Sequence, residues 1–154
     1  QLLDERAKSF LELDSEKFYR MNPYAILRLC EKFLELGLPL NAFNYLEVFL
    51  DDEAWLSPIF ECYLSALFAS EKFDLFLNKI KHLKKEDKTV SVCLIEAQVY
   101  ERLGEYELSI QSARAAIGIS PTYPYAWHLL LHASRSKGLD KDELKSIVQN
   151  KRNN

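Results

Sequence analysis

Between Val90 and Tyr123, VSVCLIEAQVYERLGEYELSIQSARAAIGISPTY, apolar residues recur at helical spacing through Val92, Cys93, Ala97 and Tyr100, then stop at Leu103–Gly104. The pattern resumes through Tyr106, Ile110, Ala113, Ala116 and Ile117 and stops again at Ser120–Pro121. Two amphipathic helices joined by a tight turn predict a helical hairpin. Gly104 suits the left-handed position that ends the first helix, because it has no Cβ to clash there.

The unit recurs along the chain. Leu36–Gly37 precedes Leu103–Gly104, Lys137–Gly138 follows it, and Ser70-Glu71-Lys72-Phe73 lies between the first two, with Phe73 placed as Tyr106 is after Gly104. Turn anchors at 37, 71, 104 and 138 are therefore 34, 33 and 34 residues apart. Proline marks the same frame. Pro23, Pro58 and Pro124 fall in the first turn of a hairpin's first helix, where a missing N–H costs nothing. Asn22, Ser57 and Tyr123 stand at or beside the capping position, and Asn and Ser are good caps.

Both ends add a helix to this frame. Residues 1–22 carry Leu2, Leu3, Ala7, Phe10, Leu11 and Leu13 as a helical stripe, expected to cap the array or to complete a preceding unit. Asp140-Lys141-Asp142-Glu143 reads as a capping box opening a last helix through Leu144, Ile147 and Val148. Asn150 to Asn154 is a polar tail, expected to fray.

Composition narrows the class. With 154 residues, 48% hydrophobic and 28% charged, the chain can bury a core and suits one domain; disorder is excluded. Only 4 Gly and 5 Pro favour long helices over many strands. A net charge of −3 gives no general basis for holding nucleic acid or an anionic membrane. The longest run without Asp, Glu, Lys or Arg, Ala115 to Ser134, is broken by Gly118, Pro121 and Pro124 and cannot span a bilayer as one helix. Cys30, Cys62 and Cys93 lie in separate apolar patterns without a CxxC, which predicts buried free thiols in a reducing compartment. The cytoplasm is the expected location, with the nucleus as the alternative. The first residue is Gln1 rather than Met, so the chain is expected to be part of something longer.

A helix–turn–helix period of 34 resembles the tetratricopeptide repeat. The resemblance is strongest over 90–123, where Ala97, Tyr100, Gly104, Tyr106, Ser109, Ala116 and Pro121 match the repeat's small residues, aromatics, turn glycine and closing proline. The unit 124–154 supplies Trp127, Leu130 and Gly138 but has Glu143 and Asn150 in place of small residues. The unit 23–56 supplies Leu29, Phe33, Gly37 and Ala42, with Cys30 standing for Ala. In 57–89, Leu64 and Phe76 fill positions usually kept small, so helix spacing or tilt is expected to differ there. The resemblance implies an all-α fold: a right-handed α-solenoid of about four hairpins over 23–154, plus the N-terminal helix of 1–22.

The resemblance also implies a concave groove lined by the first helix of each hairpin, binding a peptide or helix of a partner protein. Carried onto this chain, the groove positions are Tyr24, Leu27, Glu31 and Leu34, then Glu61, Ser65 and Phe68. They continue with Ser91, Leu94, Gln98 and Glu101, and end with Tyr125, His128, His132 and Arg135. Repeats that clamp a C-terminal carboxylate place Lys, Arg and Asn at such positions. Here Glu31, Glu61 and Glu101 would leave an anionic tail unpaired. The expected groove is apolar and aromatic with an acidic edge, suited to a basic amphipathic segment; the equal alternative is that Leu27, Leu34, Phe68 and Leu94 pack against another helix of the parent chain.

Other chemistry is sparse. His128 and His132 are four apart, a spacing that can hold zinc, but no Cys, Asp or Glu accompanies them in the same helix, and no metal is expected. Lys79, Lys81, His82, Lys84, Lys85 and Lys88 form a basic cluster, read as a solvated helix C-terminus. No phosphate-cradling Gly-rich loop and no nucleophile–base motif is present. The expectation is a non-catalytic interaction scaffold or adaptor without cofactor or small-molecule substrate. The alternatives are a regulatory or assembly domain of a larger enzyme, chaperone or trafficking complex, and a helical-repeat RNA binder. The period and the Glu-bearing groove argue against the last.

Overall fold

The computed structural model describes residues 23–49 and 58–152. The helix expected over 1–22, the caps at Asn22 and Ser57, and Asn153–Asn154 lie outside the described residues. Among the described residues the fold is all-α, with eight α-helices, one 3₁₀ turn and no strand. The helices are α1 (Pro23–Glu35), α2 (Pro39–Phe49), α3 (Pro58–Ala69) and α4 (Phe73–Ile80). They continue with α5 (Val90–Arg102), α6 (Tyr106–Ile119), α7 (Pro124–Lys137) and α8 (Lys141–Arg152); the 3₁₀ turn is Lys85–Asp87. Helix α8 thus runs through most of the stretch expected to fray.

Four short turns between consecutive helices are built alike. Gly37, Glu71, Gly104 and Gly138 have φ of 70°, 57°, 76° and 96°, the left-handed conformation expected at Gly104 and here shared by all four anchors. In each turn the anchor N–H donates three residues back: Gly37 to Leu34 O, Glu71 to Phe68 O, Gly104 to Glu101 O and Gly138 to Arg135 O. The following N–H donates five back: Leu38 to Phe33 O, Lys72 to Leu67 O, Glu105 to Tyr100 O and Leu139 to Ser134 O, at 2.8–3.1 Å. This pair of bonds satisfies carbonyls that a helix end would leave unpaired.

Helix starts follow local chemistry too. Helices α1, α3 and α7 begin at Pro23, Pro58 and Pro124. Tyr123 contributes no side-chain cap to α7, whereas Thr89 Oγ1 accepts from Val92 N at 3.3 Å and caps α5. The capping box of α8 is formed: Asp140 Oδ1 accepts from Glu143 N, and Glu143 Oε2 accepts from Asp140 N, both at 2.9 Å.

The chain divides into two compact units, Gln1–Ala66 and Leu67–Asn154. The first buries Ile26, Cys30 and Phe33 of α1, Ala42, Phe43 and Leu46 of α2, and Phe60, Tyr63 and Leu64 of α3. Stacked rings pair Phe33 with Tyr45 at 5.5 Å and Phe43 with Tyr63 at 5.6 Å. In the second unit α6 packs against both α5 and α7. Its core joins Cys93, Leu94 and Ala97 to Ile110, Ala113 and Ala116 and to Ala126, Leu129, Leu130 and Ala133. Small side chains bring α6 close to the backbone of α5: the buried Ser109 hydroxyl donates to Ala97 O at 2.8 Å.

All three cysteines are buried and free. Burial, aided by Cys62 and Glu31, pushes the Cys30 thiol up to about 12. Burial and Glu31 push Cys62 to about 11, and burial raises Cys93 as well. These thiols are protonated and poor nucleophiles at neutral pH.

Candidate functional site

Within the second unit a cleft of about 240 Å³ opens beside α5 and α7. Helical spacing brings Gln98, Glu101 and Arg102 to one face of α5, and Tyr125, His128, Leu129 and His132 to one face of α7. Phe68, near the end of α3, completes the lining.

One wall of this cleft is a run of rings. Tyr125 stacks on His128 at 5.9 Å between centroids, and His128 meets His132 at 6.1 Å. Opposite it, charges are already engaged. His132 Nδ1 lies 2.8 Å from Glu101 Oε1, with the Glu101 side chain only 25% exposed. The Arg102 guanidinium sits 6.0 Å from the centre of the Phe68 ring and 3.9 Å from Glu71 Oε1. Gln98 Nε2 donates to Leu94 O at 3.2 Å in its own helix. The cleft therefore offers exposed ring faces and a histidine–carboxylate pair, a surface able to take an apolar or aromatic side chain and to compete for Glu101 with a cation.

Six of the expected groove residues meet here: Phe68, Gln98, Glu101, Tyr125, His128 and His132. Leu94 does not join them. It is 7% exposed and belongs to the apolar core with Ala97, Ile110 and Leu130, because its position on α5 turns it inward. Arg135 lies one turn beyond His132 and faces α8 instead. In the first unit, Tyr24 of α1 is 75% exposed, while Leu27, Glu31 and Leu34 are half-buried. Glu31 pairs with Arg28 at 3.2 Å. Glu61 of α3 is half-buried, and its carbonyl accepts from the Ser65 hydroxyl at 3.0 Å.

Sequence reasoning missed Arg102 and Leu129 as lining residues. Arg102 is four residues after Gln98, so the face that carries Gln98 also carries it. It also grouped Lys88 with a solvated basic cluster. Lys88 Nζ instead binds both oxygens of Glu96, at 2.8 and 3.0 Å, with side-chain exposures of 20% and 10%. The signal was a carboxylate, Glu96, inside the apolar stripe of Val92, Cys93, Ala97 and Tyr100, which a cation must neutralise.

Among the described residues, no group of three or more His, Cys, Asp or Glu is placed to hold a metal ion. No described helix is long and apolar enough to cross a membrane. No protein-family model matches the chain, and no curated protein matches it.

Proposed function

We propose that the chain is a tetratricopeptide-like helical-repeat adaptor that works by non-catalytic capture of a peptide or helix from a partner protein. The observation that carries this reading is the cleft formed by Phe68, Gln98, Glu101, Tyr125, His128 and His132. Its lining comes from the first helices of successive hairpins, the elements from which such repeats build a binding groove. The four equivalent turns at 34, 33 and 34 residues support a repeat array, and a solenoid is the arrangement such a period favours. The residues of α1 and the first part of α3 enter the reading through the resemblance alone.

The favoured ligand is a segment with an apolar or aromatic anchor and a nearby Lys or Arg. The anchor lies against Phe68 and Tyr125, and the cation displaces His132 from Glu101. Selection of peptides from a random displayed library on the full chain tests this. The expected result is enrichment of such segments, and loss of at least about tenfold in affinity when Tyr125→Ala is combined with Glu101→Gln. Peptides that bind the double variant as tightly as the parent, or a selection that enriches nothing, would overturn it. The same variant serves as the control for affinity capture from cells.

A further inference from the structure

A second cleft, about 590 Å³ in volume, separates α7 from α8, and unlike the first it has no acidic side chain in its lining. On α7, His128, Leu131, His132 and Arg135 share one face; on α8, Lys141, Leu144, Lys145 and Val148 share the face opposite. Ile147 of α8 packs against the core, which leaves Leu144 and Val148 facing the cleft, with Val148 38% exposed. The apolar floor is thus Leu131, Leu144 and Val148. Every titratable side chain in the lining is basic: His128, His132, Arg135, Lys141 and Lys145. Lys145 pairs with Asp142 at 3.3 Å on a fully solvated surface, a contact of little strength. Among the described residues, no ion pair engages Arg135 or Lys141. Arg135 and Lys141 therefore present like charge to the cleft that a partner's negative charge would offset.

We infer that the α7–α8 cleft is a docking site for an acidic amphipathic helix of a partner protein. Its apolar stripe covers Leu131, Leu144 and Val148, and its carboxylates pair with Arg135 and Lys141. The occupant is chosen by charge complementarity: in a chain with a net charge of −3, the lining has no acidic side chain, and Arg135 and Lys141 beside the apolar floor have no ion pair among the described residues. An aliphatic floor suits a Leu- or Phe-bearing helix, whereas single-stranded RNA binds on aromatic stacking platforms. This inference does not rest on the peptide cleft beside α5, since only His128 and His132 touch both.

The probe is a labelled synthetic peptide about four helical turns long, with Leu and Phe on one face and Glu on the other, read by fluorescence anisotropy on the full chain. Saturable binding is expected, weakening as salt rises. A peptide with Lys in place of every Glu is expected not to bind. Arg135→Glu combined with Lys141→Glu is expected to cost at least about tenfold in affinity while circular dichroism and melting temperature stay unchanged, since both side chains are exposed. Val148→Asp, which leaves the cations in place, is expected to weaken binding through the floor. Tyr125→Ala with Glu101→Gln, which disables the other cleft, is expected to leave the acidic peptide bound. Absence of binding, equal binding of the Lys peptide, or indifference to the Arg135 and Lys141 reversals would overturn the proposal. Displacement of the peptide by oligouridylate at lower concentration would overturn it in favour of RNA.

Discussion

Helices α3 and α4 and helices α5 to α7 reach burial by opposite means. Around α5, α6 and α7 most fully buried positions are small: Ala97, Ser109, Ala113, Ala116, Ala126, Ala133 and Ser134 are all at 0% exposure, with Val99 the larger exception. In α3 and α4 most are large: Tyr63, Leu64, Leu67 and Phe76, with Ala66 the one small residue at 0%. Small residues let helix backbones approach, so that a serine hydroxyl reaches a neighbouring carbonyl. Large side chains hold neighbouring helix axes further apart. Yet the turn after α3 and the turn after α5 have the same backbone hydrogen bonds and a left-handed residue at the same place, Glu71 in one and Gly104 in the other. The turn geometry is therefore independent of how the core beside it is filled. The spacing of the turns is kept while the packing beside them differs.

The sharpest way to separate the two strategies is to invert them. Phe76→Ala removes a ring at 0% exposure and is expected to cost about 3–5 kcal/mol. Ala113→Leu adds volume to the small-residue core and is expected to cost about 1–3 kcal/mol by overpacking. Denaturant unfolding of the two variants measures both. If Ala113→Leu proves neutral, the helices around α6 are not in close contact and the contrast fails. Ser109→Ala is a finer probe of the same contact. It removes the bond to Ala97 O without adding volume and is expected to cost about 1 kcal/mol. A cost near zero would show that the bond adds nothing beyond burial.

These differences explain what was legible in the amino-acid order. The turns were legible because a left-handed residue, a Pro at a helix start and the Asp140–Glu143 box each act within a few residues of chain. The three thiols were legible because each sits in an apolar stripe. The site was only partly so. Periodicity assigns Leu94 and Leu129 to helical faces but does not say how far the neighbouring helix covers each face, and that coverage depends on side-chain volumes on α6. Both end in the core, and only Leu129 also lines the cleft. The Lys88–Glu96 pair joins a loop to a helix across eight residues, beyond any helical periodicity.

The smallest expected effects come from the turns, and they differ in sign. At Gly104 (φ 76°) a Cβ would meet no atom within 4 Å, so Gly104→Ala introduces no clash, only left-handed backbone strain. That strain is about 1–2 kcal/mol for a residue with a Cβ. Against it stands the entropy that alanine removes from the unfolded chain, about 0.4–1 kcal/mol. The net cost is expected to centre on about 1 kcal/mol. Glu71 carries that strain already, at φ 57°. Glu71→Gly relieves it and loses the contact to Arg102, 3.9 Å between two exposed side chains and worth little. The same difference with the sign reversed predicts a stabilisation of up to about 1 kcal/mol, read as a rise in the denaturant midpoint at unchanged slope. If Glu71→Gly destabilises the chain, the turn after α3 depends on a Glu71 contact that the turn after α5 lacks, and the two are equivalent only in backbone shape.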